Sequence, residues 1–262
     1  MCLIVFNWQP NSHRPLTLAA NRDEFHKRAS LDAHFWEDHP NVFAGRDLEK
    51  QGTWLGLSKN NNASCFRMAA LTNFRRIDSQ QYLHSRGEIT RNFLVSKQPA
   101  LDYAQEILFS QYAGFNGLFF DGKSLIYCHH GIDTKPVIYS LDKGIYGLSN
   151  AKLDSPWPKS EKTKAALQTI DKNGGHDTVA NQLLNILKDD TQADDSLLPN
   201  TGIGIEFERL LSPAFIISPS YGTRTSSVVI INQEKDKQMA YFKERQFSNK
   251  GENIRELSKE LS

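Results

Sequence analysis

Three observations point to an α+β protein with layered sheets: β-rich segments come in groups, two pairs of helical segments separate those groups, and no Gly- or Ser-rich linker divides the chain. Grouped strands pair with their neighbours, and paired helices must then cover a sheet face. No internal repeat is detectable, so one domain over residues 1–262 is expected.

The first third reads as strands. CLIVFNW, PLTLAANRDE, TWLGLS and CFRMAALTNF are β-rich or alternating and are bounded by Asn, Pro, Gly or Asp. Between Phe25 and Lys50 the chain is polar and punctuated by proline, which predicts a long surface loop. Helical spacing follows in RGEITRNFLVSK and ALDYAQEILFSQY, with charges opposite the apolar stripe. NGLFFD and KSLIYCHH predict a two-residue hairpin through Asp121-Gly122, and VIYSLDKGIYGLSN a second hairpin through Asp142-Lys143-Gly144. Two further helices, around KSEKTKAALQTIDK and DTVANQLLNILKDD, flank a Gly174-Gly175 stop. TQADDSLLPNTG is a polar loop. AFIISPS, TSSVVIINQ and KQMAYFKERQF are three strands, and the charged tail after Asn249 is expected to be a solvated helix end.

Composition narrows the function. With 262 residues, 39% of them hydrophobic, the chain can bury a full core without metals or disulfides. Lys and Arg number 31 against 30 Asp and Glu, and no basic run grips a phosphate backbone, so nucleic acid is not an expected partner. Cys2, Cys65 and Cys128 are odd in number and widely spaced, which suits a reducing compartment. No signal-peptide pattern and no apolar run of about 18 residues is present, so a cytoplasmic protein without a membrane span is expected.

Cys2 has two readings. It is either a small apolar residue opening a buried strand or, once Met1 is removed, a nucleophile. In the second case thiol and α-amine share one residue, and an amine with a pKa of about 7.7–8.0 can take the proton of a thiol near 8.5. Such a nucleophile needs oxyanion donors and groups to hold the amine. Asn21, Arg22 and Asp23, then Asn73, Asn150 and Arg224, stand at expected strand ends. Each is equally explained by ordinary turn chemistry.

Taken together, MCLIVF, AANRDEF, GTWLGLS, AALTNFR, SRGEI, YGLSNAKLDSPWPK and YGTRTSSVVI resemble the NRDE family, also called the transport and Golgi organisation family, along nearly the whole chain. That family is more remotely similar to amino-terminal nucleophile (Ntn) hydrolases of the penicillin V acylase and bile salt hydrolase type. The resemblance implies a four-layer αββα sandwich, Ntn-hydrolase-like, with the nucleophile on the first strand. It implies Cys2 as nucleophile, Asp23 as holder of the α-amine, Asn73 as oxyanion donor, Asn150 as the asparagine after the central hairpin, and Arg224 as the late active-site arginine. One position departs from the acylase pattern: Ala20 stands where those enzymes carry an arginine, and Arg22 adjoins Asp23 instead. Alternate strand residues face opposite sides, which separates Arg22 from Asp23.

The implied activity is hydrolysis of linear amide bonds through a thioester. The alternative is a non-catalytic carrier of a hydrophobic ligand, haem or lipid or acyl-CoA, on the same scaffold. No resident cofactor or metal is expected. Cys128-His129-His130 and His26 offer ligand atoms, but without a CxxCH motif the cluster reads as an exposed turn. Trp54 and Trp157 read as packing residues. Gly202-x-Gly204 follows no strand and is no nucleotide loop.

Overall fold

The computed structural model describes residues 2–59, 65–77, 79–131, 134–171 and 174–262. Met1, whose removal the nucleophile reading invokes, lies outside them. In chain order the elements are β1 (Cys2–Trp8), β2 (Leu16–Phe25), β3 (Ser30–Phe35), β4 (Val42–Asp47), β5 (Leu55–Lys59), β6 (Phe66–Asn73), α1 (Arg86–Val95), α2 (Ala100–Glu106), β7 (Phe115–Phe120), β8 (Leu125–His130), β9 (Val137–Ser140), β10 (Gly144–Leu148), α3 (Pro158–Thr169), α4 (His176–Ile186), α5 (Ile205–Leu210), β11 (Tyr221–Glu234), β12 (Lys237–Phe247) and β13 (Asn253–Leu261). Among the described residues the strands form two antiparallel sheets, β10-β1-β2-β11-β12-β13 and β3-β4-β5-β6-β7-β8-β9.

The period of two in the strands explains the layering. Ile4, Phe6 and Leu18 of one sheet meet Leu57, Met68 and Phe120 of the other in a core between the sheets. The alternate residues Leu3, Val5 and Ala19 pack against Leu167 of α3 and Leu183 of α4. On the far side, Ala69 and Phe119 pack against Ile89 and Phe93 of α1 and Ala100 of α2. β1 is therefore buried on both faces, which is why CLIVFNW is a continuous rather than an alternating apolar run. The result is an α+β sandwich of two sheets with helices on the outer faces. Among the described residues no helix is long and apolar enough to cross a membrane.

Four expectations are corrected, and one helix is added. The polar stretch 25–50 contains β3 and β4 rather than a loop. β3 is an edge strand in which only Ala33 is fully buried, so it carries no apolar alternation. The Asp142-Lys143-Gly144 turn does not close a hairpin: β9 pairs with β8, and the chain then crosses to the other sheet, where β10 pairs with β1. A turn sequence specifies a bend and not the partner of the strand that follows. AFIISPS buries Ala214, Phe215 and Ile216 but forms no strand, its amides being taken by Asp189 and Thr223. The tail is β13, paired with β12. Ile254, Leu257 and Leu261 have helical spacing, and edge pairing overrides it. Finally, α5, only six residues long, follows the polar loop with too little length for a periodic signal.

The Asp121-Gly122 hairpin is present between β7 and β8, with Gly122 at φ 98°, but its loop spans four residues, 121–124. Asp121 Oδ1 accepts the amides of Lys123 and Ser124 and so closes the longer turn.

Candidate functional site

At one end of the seam between the sheets lies a cleft of about 200 Å³. Cys2, Arg22 and Arg224 reach it from one sheet and Asn73 from the other, with Arg86 entering at the start of α1. Two glycines allow this closeness: a Cβ on Gly52 would stand 2.5 Å from the Gly87 carbonyl carbon. The loop before β5 and the first turn of α1 touch backbone to backbone there, joined by Thr53 N–H to Gly87 O at 3.2 Å.

Register places the nucleophile candidate. Cys2 lies opposite Arg22, and Arg22 opposite Thr225. Cys2 and Arg22 share the face that carries Ile4 and Ala20, and Ala20 is wholly buried in the core between the sheets. Asp23 turns to the opposite face, where its Oδ1 accepts the Thr223 hydroxyl at 2.7 Å and its carbonyl accepts the Tyr221 hydroxyl at 3.0 Å. Arg22 instead lies 3.7 Å from Glu24 on its own face. Between Thr223 and Thr225 the β2–β11 ladder shifts, so Arg224 is the extra residue of a bulge. Bulges re-aim side chains at sheet ends, and Arg224 lines the cleft, donating to the carbonyl of Arg28.

The electrostatics follow from burial. Desolvation raises the Cys2 thiol above its ordinary range, against the pull of Arg22 and a backbone hydrogen bond from Asp23. A raised thiol is protonated at rest and needs a base to react. Burial also raises Asp23, opposed chiefly by Lys159. Arg224 and Arg86 are both lowered by desolvation; Arg22 deepens the effect at Arg224, whereas Cys2 and Glu24 oppose it at Arg86.

Of the five residues assigned from sequence, Cys2, Asn73 and Arg224 line the cleft, and Asp23 borders it while its carboxyl turns to the face behind. Asn150 does not. It is buried behind Asn73, where its Nδ2 donates to the Asn73 carbonyl at 2.8 Å and its own carbonyl accepts the Arg75 amide at 2.7 Å. Its neighbour Ser149 donates to the Cys2 carbonyl at 3.1 Å, so the end of β10 ties β1 to β6. Asn21 is structural: its Nδ2 donates to the carbonyls of Leu187 and Ala214.

Several residues escaped the sequence reading. Arg86 sits in the SRGEI motif, which pointed to a family and not to a role. Glu244 lines the cleft fully buried, accepting from Ala33 N–H and Ser227 Oγ, and burial pushes it up to about 7. Behind Asp23 lie Lys159 and the buried pair Arg75–Glu208, at 2.7 Å. Arg75 also stacks 4.5 Å over Trp157, so that tryptophan packs against a charge.

The Cys128-His129-His130 cluster is no exposed turn. It forms the end of β8, with Cys128 and His129 buried. His129 Nδ1 contacts Asn116 Oδ1 at 2.9 Å, and burial holds its imidazole down to about 4. His26 belongs to the end of the other sheet, 3.1 Å from the Ser218 carbonyl.

Comparison with known proteins finds matches along most of the chain. The family model described as Transport and Golgi organisation 2 matches residues 1–249. A Bos taurus protein named Transport and Golgi organization protein 2 homolog is 34% identical over 89% of this chain and 90% of its own length. The Homo sapiens homolog is 32% identical over 89% and 90%, and the Drosophila melanogaster protein 30% identical over 89% of each. The cleft motifs GTW, SRG and NRDE all fall inside the matched span, and on that match this chain belongs to the Transport and Golgi organisation 2 family.

Proposed function

We propose that the protein is an Ntn-hydrolase-like cysteine hydrolase of linear amide bonds, with Cys2 as its amino-terminal nucleophile. The observation that carries this reading is the place of Cys2: the first residue of a strand buried on both faces, in a polar cleft that Asn73 and Arg224 also line, with the Asp23 carboxyl directly behind it. A cysteine needed only for packing has no use for that company.

The chemistry is a two-step acyl transfer. The Cys2 amine takes the thiol proton as the Sγ–C bond forms at the amide carbonyl. The Asn73 side chain donates to the oxyanion. The same proton goes to the departing nitrogen as the C–N bond breaks, leaving a thioester. Water then adds to the thioester carbon, releasing a carboxylic acid and restoring the thiol. Asp23 orients the amine, and Arg224 holds a polar group of the substrate. Asn150 acts through the backbone of Asn73 and not by touching substrate. The test is acyl transfer from p-nitrophenyl acetate, located by intact and peptide mass: the label belongs on Cys2 of protein lacking Met1. Label spread over Cys65 and surface amines, with Cys2 untouched, overturns the reading.

A second reading has its own support. Leu31, Phe247 and Ile254 give the cleft an apolar side, with Leu31 and Ile254 exposed. That suits a carrier of a hydrophobic ligand such as haem or an acyl-CoA. Saturable binding of haemin or an acyl-CoA at one equivalent, unchanged in Cys2→Ala and without acyl transfer, favours it.

A further inference from the structure

The face of β2 turned away from the cleft holds two buried carboxylates, Asp23 and Glu208, and two buried cations, Arg75 and Lys159. Arg75 and Glu208 satisfy each other at 2.7 Å, both side chains being 4% exposed. Glu208 Oε1 is further occupied by the amide and hydroxyl of Thr201. Within this cluster Lys159 is the cation that acts most strongly on Asp23, ahead of Arg75, and Asp23 the carboxylate that acts most strongly on Lys159. Lys159 is 4% exposed and donates to the Leu211 carbonyl at 2.9 Å, a neutral acceptor that cannot balance a buried ammonium. Its placement is fixed by the backbone: Pro158 opens α3, and Ser160, which follows the lysine, packs on Gly147 of β10, beside β1. The first turn of α3 thus holds the lysine over the strand that begins with Cys2.

This placement bears on the base. A carboxylate balanced mainly by the α-amine favours that amine as ammonium, and an ammonium cannot accept the thiol proton. We propose that Lys159 is a positioning residue for the Cys2 nucleophile: it supplies the standing counter-charge of Asp23 and so leaves the neighbouring amine as free base. The inference rests on the nucleophile reading above. The charged and titratable groups facing Asp23 and Lys159 are Cys2 from β1, Arg75 beyond β6, Glu208 from α5 and Tyr221 from β11. Burial pushes Lys159 down to about 8, with Asp23 the leading opposing influence, so its charge is present at neutral pH.

The test is the rate of acetyl transfer from p-nitrophenyl acetate to Cys2, followed by mass from about pH 5 to 9 with Cys2→Ala as baseline. In Lys159→Met the acid limb moves to higher pH by about 1–3 units, lowering the rate at neutral pH about tenfold or more. Lys159→Arg keeps the charge and keeps the limb in place. Lys159→Gln, which retains a donor for the Leu211 carbonyl, gives the same upward move should the Met variant fail to fold. Reactive Cys2 with the limb unmoved in folded Met or Gln variants overturns the role of Lys159 alone. Unreactive Cys2 in the unmodified protein overturns the nucleophile reading, and this inference with it.

Discussion

Arg22 and Asp23 are adjacent in one strand yet sit in two differently built charge environments. On the cleft side, Arg22, Arg28 and Arg46 meet carboxylates that are partly exposed, as in Arg28–Asp47 at 2.5 Å and Arg46–Asp38 at 2.6 Å. On the other side, Asp23, Lys159, Arg75 and Glu208 are sealed under α3 and α5. The first environment keeps its charges in contact with water, so they can be exchanged for those of a ligand. The second has no such freedom, because each buried charge must be matched within the protein. The nucleophile candidate lies between the two, and the contrast shows how a pleated strand separates binding from positioning within two residues.

Cys2→Ala is expected to abolish acyl transfer, a loss of more than about a hundredfold, while circular dichroism and the unfolding midpoint stay near those of the parent. Next is the sealed side: Arg75→Met strands Glu208 and is expected to cost about 3–5 kcal/mol in urea unfolding.

Glu244 sharpens the contrast through pH. Its carboxyl is raised from 4.5 to about 7, so the folded state holds its proton across that window while the unfolded chain releases it. Its contribution is therefore fully present below about pH 4.5 and is lost as pH rises through about 7, up to about 3 kcal/mol in all. Glu244→Gln should remove that part of the pH slope of stability. Gly52→Ala forces a Cβ against the Gly87 backbone and is expected to cost about 1–3 kcal/mol and to slow acyl transfer by widening the cleft wall. Smallest of all, Asp38→Asn removes a half-exposed partner of Arg46 and should change stability by less than about 1 kcal/mol, an effect that fades with added salt.

The legible parts of this molecule are those governed by local physics. β1, β2, β6, β12 and the helices α1, α3 and α4 announce themselves by apolar periodicity, because each buries a stripe or a face. β3 and β13 do not, since an edge strand needs little apolar surface and β13 has the charges and spacing of a helix. The β9–β10 turn illustrates a further limit: its residues encode a bend, while the two strands join different sheets. Within the site, Cys2, Asp23, Asn73 and Arg224 could be named from motifs at strand ends. Arg86, Glu244 and Lys159 could not, because a charged residue near a helix start or in a strand usually faces water.

Local sequence carried most of the element types, the family resemblance and the set of polar residues at strand ends, all of which depend on neighbours along the chain. Which face each residue serves depends on register and layer packing. Register set Arg22 beside Cys2 and turned Asp23 away, the bulge at Arg224 aimed it inward, and packing of α3 buried Lys159. The physical reason is that burial and Coulomb interactions depend on distance through the fold, which hydrogen-bond register and layer packing establish and separation along the chain does not.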